Sequence, residues 1–245
     1  MNDERRDGSG DAAAGPGAGA RVGEVERVTG ETRVSARVDL DGSGAAEVST
    51  GIGFLDHMLT ALAKHSRLDV TLRCGGDLHV DDHHTAEDCA LALGACLDRA
   101  LDDRRGVRRF GWAYAPLDEA LARAVVDLSG RPHAEVELGL VREAIGAVGG
   151  DGRVSRGPGD GRGVEGGSAG GVVGVGGGIA CENIVHFFRS MATAGRMTLH
   201  VDVLRGENDH HKAEAAFKAT ALALRMAVER DVGGGVPSTK GTLTA

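Results

Sequence analysis

One six-residue phrase occurs twice, and it constrains the fold more than any other feature of the chain. Asp82-His83-His84-Thr85-Ala86-Glu87 and Asp209-His210-His211-Lys212-Ala213-Glu214 each carry a carboxylate, two adjacent histidines and a glutamate. Each opens a run rich in alanine and leucine, which predicts a helix. On a helix, spacings of three and four place side chains on one face. His83 or His84 can therefore share a metal with Glu87, and His210 or His211 with Glu214. Adjacent histidines point about 100° apart, so one pair suits two centres better than one. A single pair would be an ordinary exposed helix start, but its recurrence points to a metal site. Imidazole with carboxylate suits manganese, iron or zinc, and no cysteine is near enough to close a structural zinc site.

The duplication reaches further. His57 precedes the first pair by 26 residues and His186 precedes the second by 24, so a lone histidine is repeated along with the pair. Glu31 to Leu40 alternates as a half-buried strand, Asp41-Gly42-Ser43-Gly44 is turn chemistry, and Ala46 to Thr50 reads as the returning strand of a hairpin. Gly51 to His57 leads into a helix with Leu55, Met58, Leu59 and Leu62 on its buried stripe. Arg67 to Arg73 alternates again, Gly75-Gly76 turns, and the first phrase opens a helix to about Asp102. In the second half, strands are expected over 109–115, 122–128 and 133–140. A helix then follows from Glu182, a strand over 197–204 and a helix from Asn208 to about Glu229. The expected fold class is α/β (α+β), with two duplicated halves, about 25–104 and 105–232. Each half is a sheet with helices on one face.

Composition sets the outer bounds. A net charge of −8 with 3% aromatic residues indicates neither a nucleic-acid surface nor a base-stacking platform. Cys74, Cys89, Cys96 and Cys181 form no CxxC pair and read as reduced core thiols. Met1 to Ala20 is polar and glycine-rich, unlike a signal peptide, and no apolar run approaches membrane-spanning length. A soluble, cytoplasmic protein is expected, with a disordered tail over 1–22 and a single domain over 23–245. Gly146 to Gly178 holds 16 glycines in 33 residues, too many to repay its ordering entropy, and reads as a flexible insertion. A phosphate-cradling loop is disfavoured there because no Lys-Ser/Thr follows the glycines. The tail 233–245, with Pro237-Ser238-Thr239-Lys240-Gly241, is either frayed or an anion-binding flap.

The half-sites supply eight candidate ligands: His57, His83, His84, Glu87, His186, His210, His211 and Glu214. Six imidazoles and two carboxylates fill two octahedral metals only partly. The open positions that remain are the mark of a catalytic site. His79 and His133 read as solvated, and His200, in a strand, as a core histidine with a backbone partner.

These residues resemble the imidazoleglycerol-phosphate dehydratase family, of histidine biosynthesis. The matching stretches are Gly53 to Leu59, Asp82 to Asp88, Asp127 to Pro132, Asn208 to Glu214 and Pro237 to Gly241. The resemblance implies a ribosomal protein S5 domain 2-like topology and a homo-oligomer, a 24-mer whose sites lie between subunits and bind two Mn²⁺ each. It carries the eight ligands over as metal positions. Glu31 and His65 match residues at the substrate, and Arg109, Arg131, Lys218, Ser238 and Lys240 match the phosphate-holding set, whose chemistry suits a dianion. Ala61 stands where the family often has glutamine, and the glycine-rich insertion replaces a shorter connection.

The implied substrate is a small phosphorylated imidazole, with neither nucleic acid nor membrane as partner. A metal-held imidazolate would expel the neighbouring hydroxyl through a diazafulvene-like species. A base (Glu31 first, His65 or Glu214 next) would take the adjacent C–H proton, and the enol would tautomerise to a ketone. Two rivals use the same ligands: a dinuclear phosphoester hydrolase, which would release inorganic phosphate, and a metal-storage assembly without turnover.

Overall fold

The computed structural model of the protein describes residues 19–146, 177–231, 233 and 235–243. Among these residues two four-stranded sheets enclose a layer of four helices. The first half runs β1 (Val22–Val28), β2 (Thr32–Asp39), β3 (Ala46–Ser49), α1 (Gly53–Ser66), β4 (Asp69–Gly76) and α2 (His83–Leu101). The second runs β5 (Phe110–Leu117), β6 (Ala120–Asp127), β7 (His133–Glu137), a ribbon of β8 (Ala144–Ile145) and β9 (Ile179–Ala180), then α3 (Cys181–Ala194), β10 (Thr198–Arg205) and α4 (Asp209–Val228). The sheet orders are β1-β2-β4-β3 and β5-β6-β10-β7, so the halves correspond strand for strand.

The returning hairpin expected at 46–50 does not form. β3 runs parallel to β4 on its far side from β2. Asp69, the first residue of β4, explains the crossing: its Oδ1 accepts the backbone N–H groups of Ser43, Gly44 and Ala45 at 2.8–2.9 Å. These bonds carry the loop over the strand end and hold the Asp69 carboxyl below its usual range. Parallel neighbours need a crossover, which α1 supplies for β3 and β4 and α3 supplies for β7 and β10. Gly75 and Gly76 extend β4 opposite Arg33 and Thr32 instead of turning. Strand order begins at Val22, within the stretch read as tail and ahead of Val25. Most of the glycine-rich insertion, 147–176, and residues 1–18 lie outside the described residues; β8 and β9 join where the insertion leaves and returns.

Helices face helices across the seam, α2 against α3 and α1 against α4, and each also covers strands of its own sheet. Phe187, Phe188 and Phe217 meet there with ring centroids 4.5–6.1 Å apart, all nearly inaccessible to water. The duplication extends to a close approach that spacing did not reveal. A Cβ on Gly23 of β1 would lie 1.9 Å from the Cys96 carbonyl of α2. A Cβ on Gly111 of β5 would lie 1.9 Å from the Ala223 carbonyl of α4. Only glycine lets each edge strand sit so near its helix. Cys89, Cys96 and Cys181 are buried, Cys74 is half-buried, and all four are unpaired. Among the described residues no helix is long and apolar enough to cross a membrane.

One ion cluster ties the N-terminal strand to the end of α4. Asp41 accepts from Arg21 at 2.5 and 3.1 Å and from Arg230 at 2.7 Å. The Arg21 hydrogen bonds chiefly hold its carboxyl down, to about 2 from an ordinary 3.8. A depressed carboxylate pKa gives stability that is present above the unfolded value and lost as pH falls through the folded one. Asp41→Asn should therefore reduce stability near neutrality and flatten its decline between about pH 4 and 2. With 39% of the Asp41 side chain exposed, screening limits the effect to at most about 1 kcal/mol. Urea midpoints across that pH range measure it.

Candidate metal centre and substrate pocket

Both phrases start helices where expected, and the fold uses their leading residues as pins. The Asp82 carboxylate accepts the Ala180 N–H at 2.7 Å, and Asp209 accepts those of Val141 and Arg142 at 2.9 and 2.7 Å. Each pin draws the segment beside β8 and β9 onto a helix start. Asn208 caps α4 by accepting from the His210 N–H at 2.9 Å. The first turn of each long helix is thus fixed before its histidines are placed.

Six of the eight candidate ligands form two triads, and each triad is built across the halves. His83, Glu87 and His186 offer ligand atoms all within 4.8 Å of one another, as do His57, His210 and Glu214. In the first, His186 Nε2 lies 3.0 Å from Glu87 Oε1, and the His83 and His186 rings stack at 4.9 Å. In the second, Glu214 Oε2 lies 3.3 Å from both His57 Nε2 and His210 Nε2. Each triad presents two imidazole nitrogens and a carboxylate oxygen, a donor set suited to manganese, iron or zinc and one that leaves coordination positions open.

His84 and His211 stand apart from both triads. The rings within each pair are nearly perpendicular, at 79° and 88°, and only the first histidine of each joins a triad. His84 Nδ1 lies 2.9 Å from Asp77 Oδ2, and His211 Nδ1 lies 2.7 Å from Glu119 Oε2. These carboxylates raise both imidazoles above their ordinary pKa. Asp77 and Glu119 escaped the sequence reading, and so did Asn183, whose Oδ1 lies 2.9 Å from His83 Nδ1. Separations of 92 and 100 residues follow no helical or strand period, and Asp77, seven residues before His84, lies in the loop ahead of α2 and not on its helix.

The remaining site residues fall into three places. Arg109, Arg131, Ser238 and Lys240 line one cavity of about 600 Å³ with Pro237 and Thr239. Arg109 is set there by Asp127, which it meets at 2.7 and 3.1 Å, and by its bond to the Pro237 carbonyl at 2.7 Å. Lys218 does not join that cavity. One turn beyond Glu214 on α4, its ammonium pairs with Glu214 Oε1 at 2.6 Å. Burial pushes the Glu214 carboxyl up, but Lys218 and His57 outweigh it and leave it below its usual range. His65 is held below its ordinary pKa by burial and then by the Lys218 charge, with Glu214 opposing. Ala61 is half-buried on α1 between His57 and His65.

Glu31 is exposed in the turn between β1 and β2, where its charge helps raise His84. Within one chain it is therefore not in the group of His65 and Glu214. His200 is a correction: it is exposed on β10 beside His133, their rings 6.1 Å apart, because its position in the alternation faces away from the helices. His79 and His133 are exposed as expected.

The family model described as imidazoleglycerol-phosphate dehydratase matches residues 50–151 and 171–224. An imidazoleglycerol-phosphate dehydratase of Phytophthora nicotianae is 53% identical over 225 residues, covering 92% of this chain but 43% of the relative, so the chain spans less than half of that protein. The enzyme of that name from Saccharomyces cerevisiae is 45% identical, covering 89% of this chain and 96% of the relative. The crystal structure of the Staphylococcus aureus imidazoleglycerol-phosphate dehydratase superposes with a TM-score of 0.65 at 31% identity, covering 85% of this chain and 99% of the other.

Proposed function

Because the chain belongs to the imidazoleglycerol-phosphate dehydratase family, and so is a hydro-lyase of histidine biosynthesis, we propose that it dehydrates D-erythro-imidazoleglycerol phosphate to imidazole acetol phosphate with two Mn²⁺ ions in each active site. The observation that carries this reading is the pair of mixed-half triads, each with two imidazoles and one carboxylate within 4.8 Å. Bound there, the ions would supply the Lewis acidity that favours loss of the ring N–H proton, which would leave the ring electron-rich enough to lose a neighbouring hydroxyl.

The chain's own residues supply the rest. His83, Glu87 and His186 would hold one ion, and His57, His210 and Glu214 the other. His84 and His211 belong to neither triad of their own chain, so they would complete the sites of neighbouring copies. The assembly we propose is a 24-mer with sites between subunits. Glu31 lies with His84 rather than with His65, so it would be delivered to the same neighbouring site, as the base for the C–H proton. The outer face of the second sheet also favours assembly: Phe110, Trp112, Tyr114 and Val125 are 39–56% exposed there, an apolar patch suited to a partner.

The cavity of Arg109, Arg131, Ser238 and Lys240 is the phosphate subsite. Arg131 is exposed, and the carboxylate nearest to it, Asp127, stands 3.9 Å away. Anchoring the phosphate would orient the glycerol chain, so that binding energy remote from the reacting carbon supports its geometry. Lys218 would meet substrate beside Glu214 and His65.

Incubating manganese-loaded protein with imidazoleglycerol phosphate and identifying the product tests the reading. A new ketone with phosphate retained is expected, whereas free inorganic phosphate would establish a phosphoester hydrolase in its place.

A further inference from the structure

The internal duplication pairs two glutamates whose circumstances differ. Glu31 immediately precedes β2 and Glu119 immediately precedes β6, the equivalent strand of the other half. Glu119 is fully engaged. Its Oε1 accepts the N–H groups of Glu207 and Asn208 at 3.1 and 2.9 Å, and its Oε2 meets His211 Nδ1 at 2.7 Å. Glu31 accepts no side-chain hydrogen bond among the described residues. The corresponding task, holding His84 Nδ1, belongs to Asp77 at 2.9 Å. Asp77 has no counterpart in the second half, where the position seven residues before His211 is Leu204. Non-equivalent residues thus arrive at one arrangement, a carboxylate on Nδ1 of the second histidine of each pair.

A carboxylate only accepts, so each Nδ1 carries the hydrogen, and in the neutral ring each Nε2 presents a lone pair. Nε2 of His211 has Asp118 Oδ2 at 3.8 Å, too far for a hydrogen bond. Around His84 the further charges are Glu31 and Asp81. We propose that Glu119 and Asp77 are positioning residues that fix His211 and His84 in the Nε2-ligating tautomer, and that Asp77, by relieving Glu31 of this role, leaves that glutamate available to substrate. The inference rests on the reading of His84 and His211 as metal ligands.

The two carboxylates respond differently to amide replacement, and that difference is the test. In Glu119→Gln the carbonyl oxygen keeps the Glu207 and Asn208 N–H groups, so the amide NH₂ must face His211 Nδ1. Nδ1 then accepts, Nε2 carries the hydrogen, and the ligand is lost without disturbance to the loop. Asp77 Oδ1 is buried without a partner among the described residues, so Asp77→Asn can turn its NH₂ to that side and keep its oxygen on His84. Asp77→Ala removes the acceptor altogether.

Manganese affinity of the full-length protein is read by titration with Mn²⁺ alone, following the free ion by electron paramagnetic resonance. The thermal melt of the metal-free protein monitors the fold. Glu119→Gln and Asp77→Ala should each lose roughly 10- to 100-fold in affinity, the range for removing the outer partner of a ligating histidine. Asp77→Asn should stay near wild type, and all three should melt as wild type does without metal. Wild-type affinity in Glu119→Gln, or an Asp77→Asn loss as large as that of Asp77→Ala, overturns the tautomer role. Glu87→Gln separates this from the parent reading. If it too binds manganese normally, the metal site itself is refuted. If it loses metal while Glu119→Gln does not, only the positioning role falls.

Discussion

Glu87→Gln should leave the protein folded, deplete it of metal and reduce turnover by roughly a thousandfold or more, because Lewis-acid stabilisation contributes several kcal/mol to such a step. The substitution keeps the side chain's shape and removes its charge. Glu87 is the one anion of its triad, 3.0 Å from His186 Nε2, and two neutral imidazoles alone hold a hard divalent cation weakly. Glu214 has the same place in the other triad but also pairs with Lys218 at 2.6 Å, so its replacement would mix two effects. Metal analysis after desalting, alongside turnover, checks the result. Full activity in a metal-free Glu87→Gln protein would end the ligand assignment.

Lys240→Ala should act on substrate and not on metal. Lys240 is exposed in the cavity with Arg109, Arg131 and Ser238, and among the described residues its ammonium has no carboxylate partner. Losing one charge-assisted contact of about 1.5–3 kcal/mol should lower kcat/KM by roughly ten- to a hundredfold, mainly through KM. Manganese content and melting temperature should stay at their wild-type values. A parallel fall in bound metal would instead make the tail part of the metal site's scaffold.

The repeated His-His phrase already implied two similar sheet-and-helix halves, because its side chains must share helix faces whatever the tertiary context. The cores of β2, β4, β6 and β10 were legible for the same reason: alternation reports burial. Strand pairing was not. Ala46 to Ser49 has strand composition whichever neighbour it joins, and the choice of β4 over β2 is made by Asp69 and a loop 24 to 26 residues earlier. His200 misled because alternation states that one face is buried without saying which.

Among the site residues, spacing could offer only the choice between His83 and His84 for Glu87. The crossing of helices decides it, by bringing His186 over from the other half. Asp77, Glu119 and Asn183 left no trace at the level of motif. Glu119 alone could have been found, by aligning the two halves and noticing that it matches Glu31.

Neither half owns a triad. The first lends His57 to the pair on α4, and the second lends His186 to the pair on α2. Once occupied by cations, the two centres would rivet the helical seam at both ends, so their binding free energy would also be cohesion between the halves. A chelator would then lower the melting temperature of this enzyme by loosening the seam between its halves, while leaving it folded.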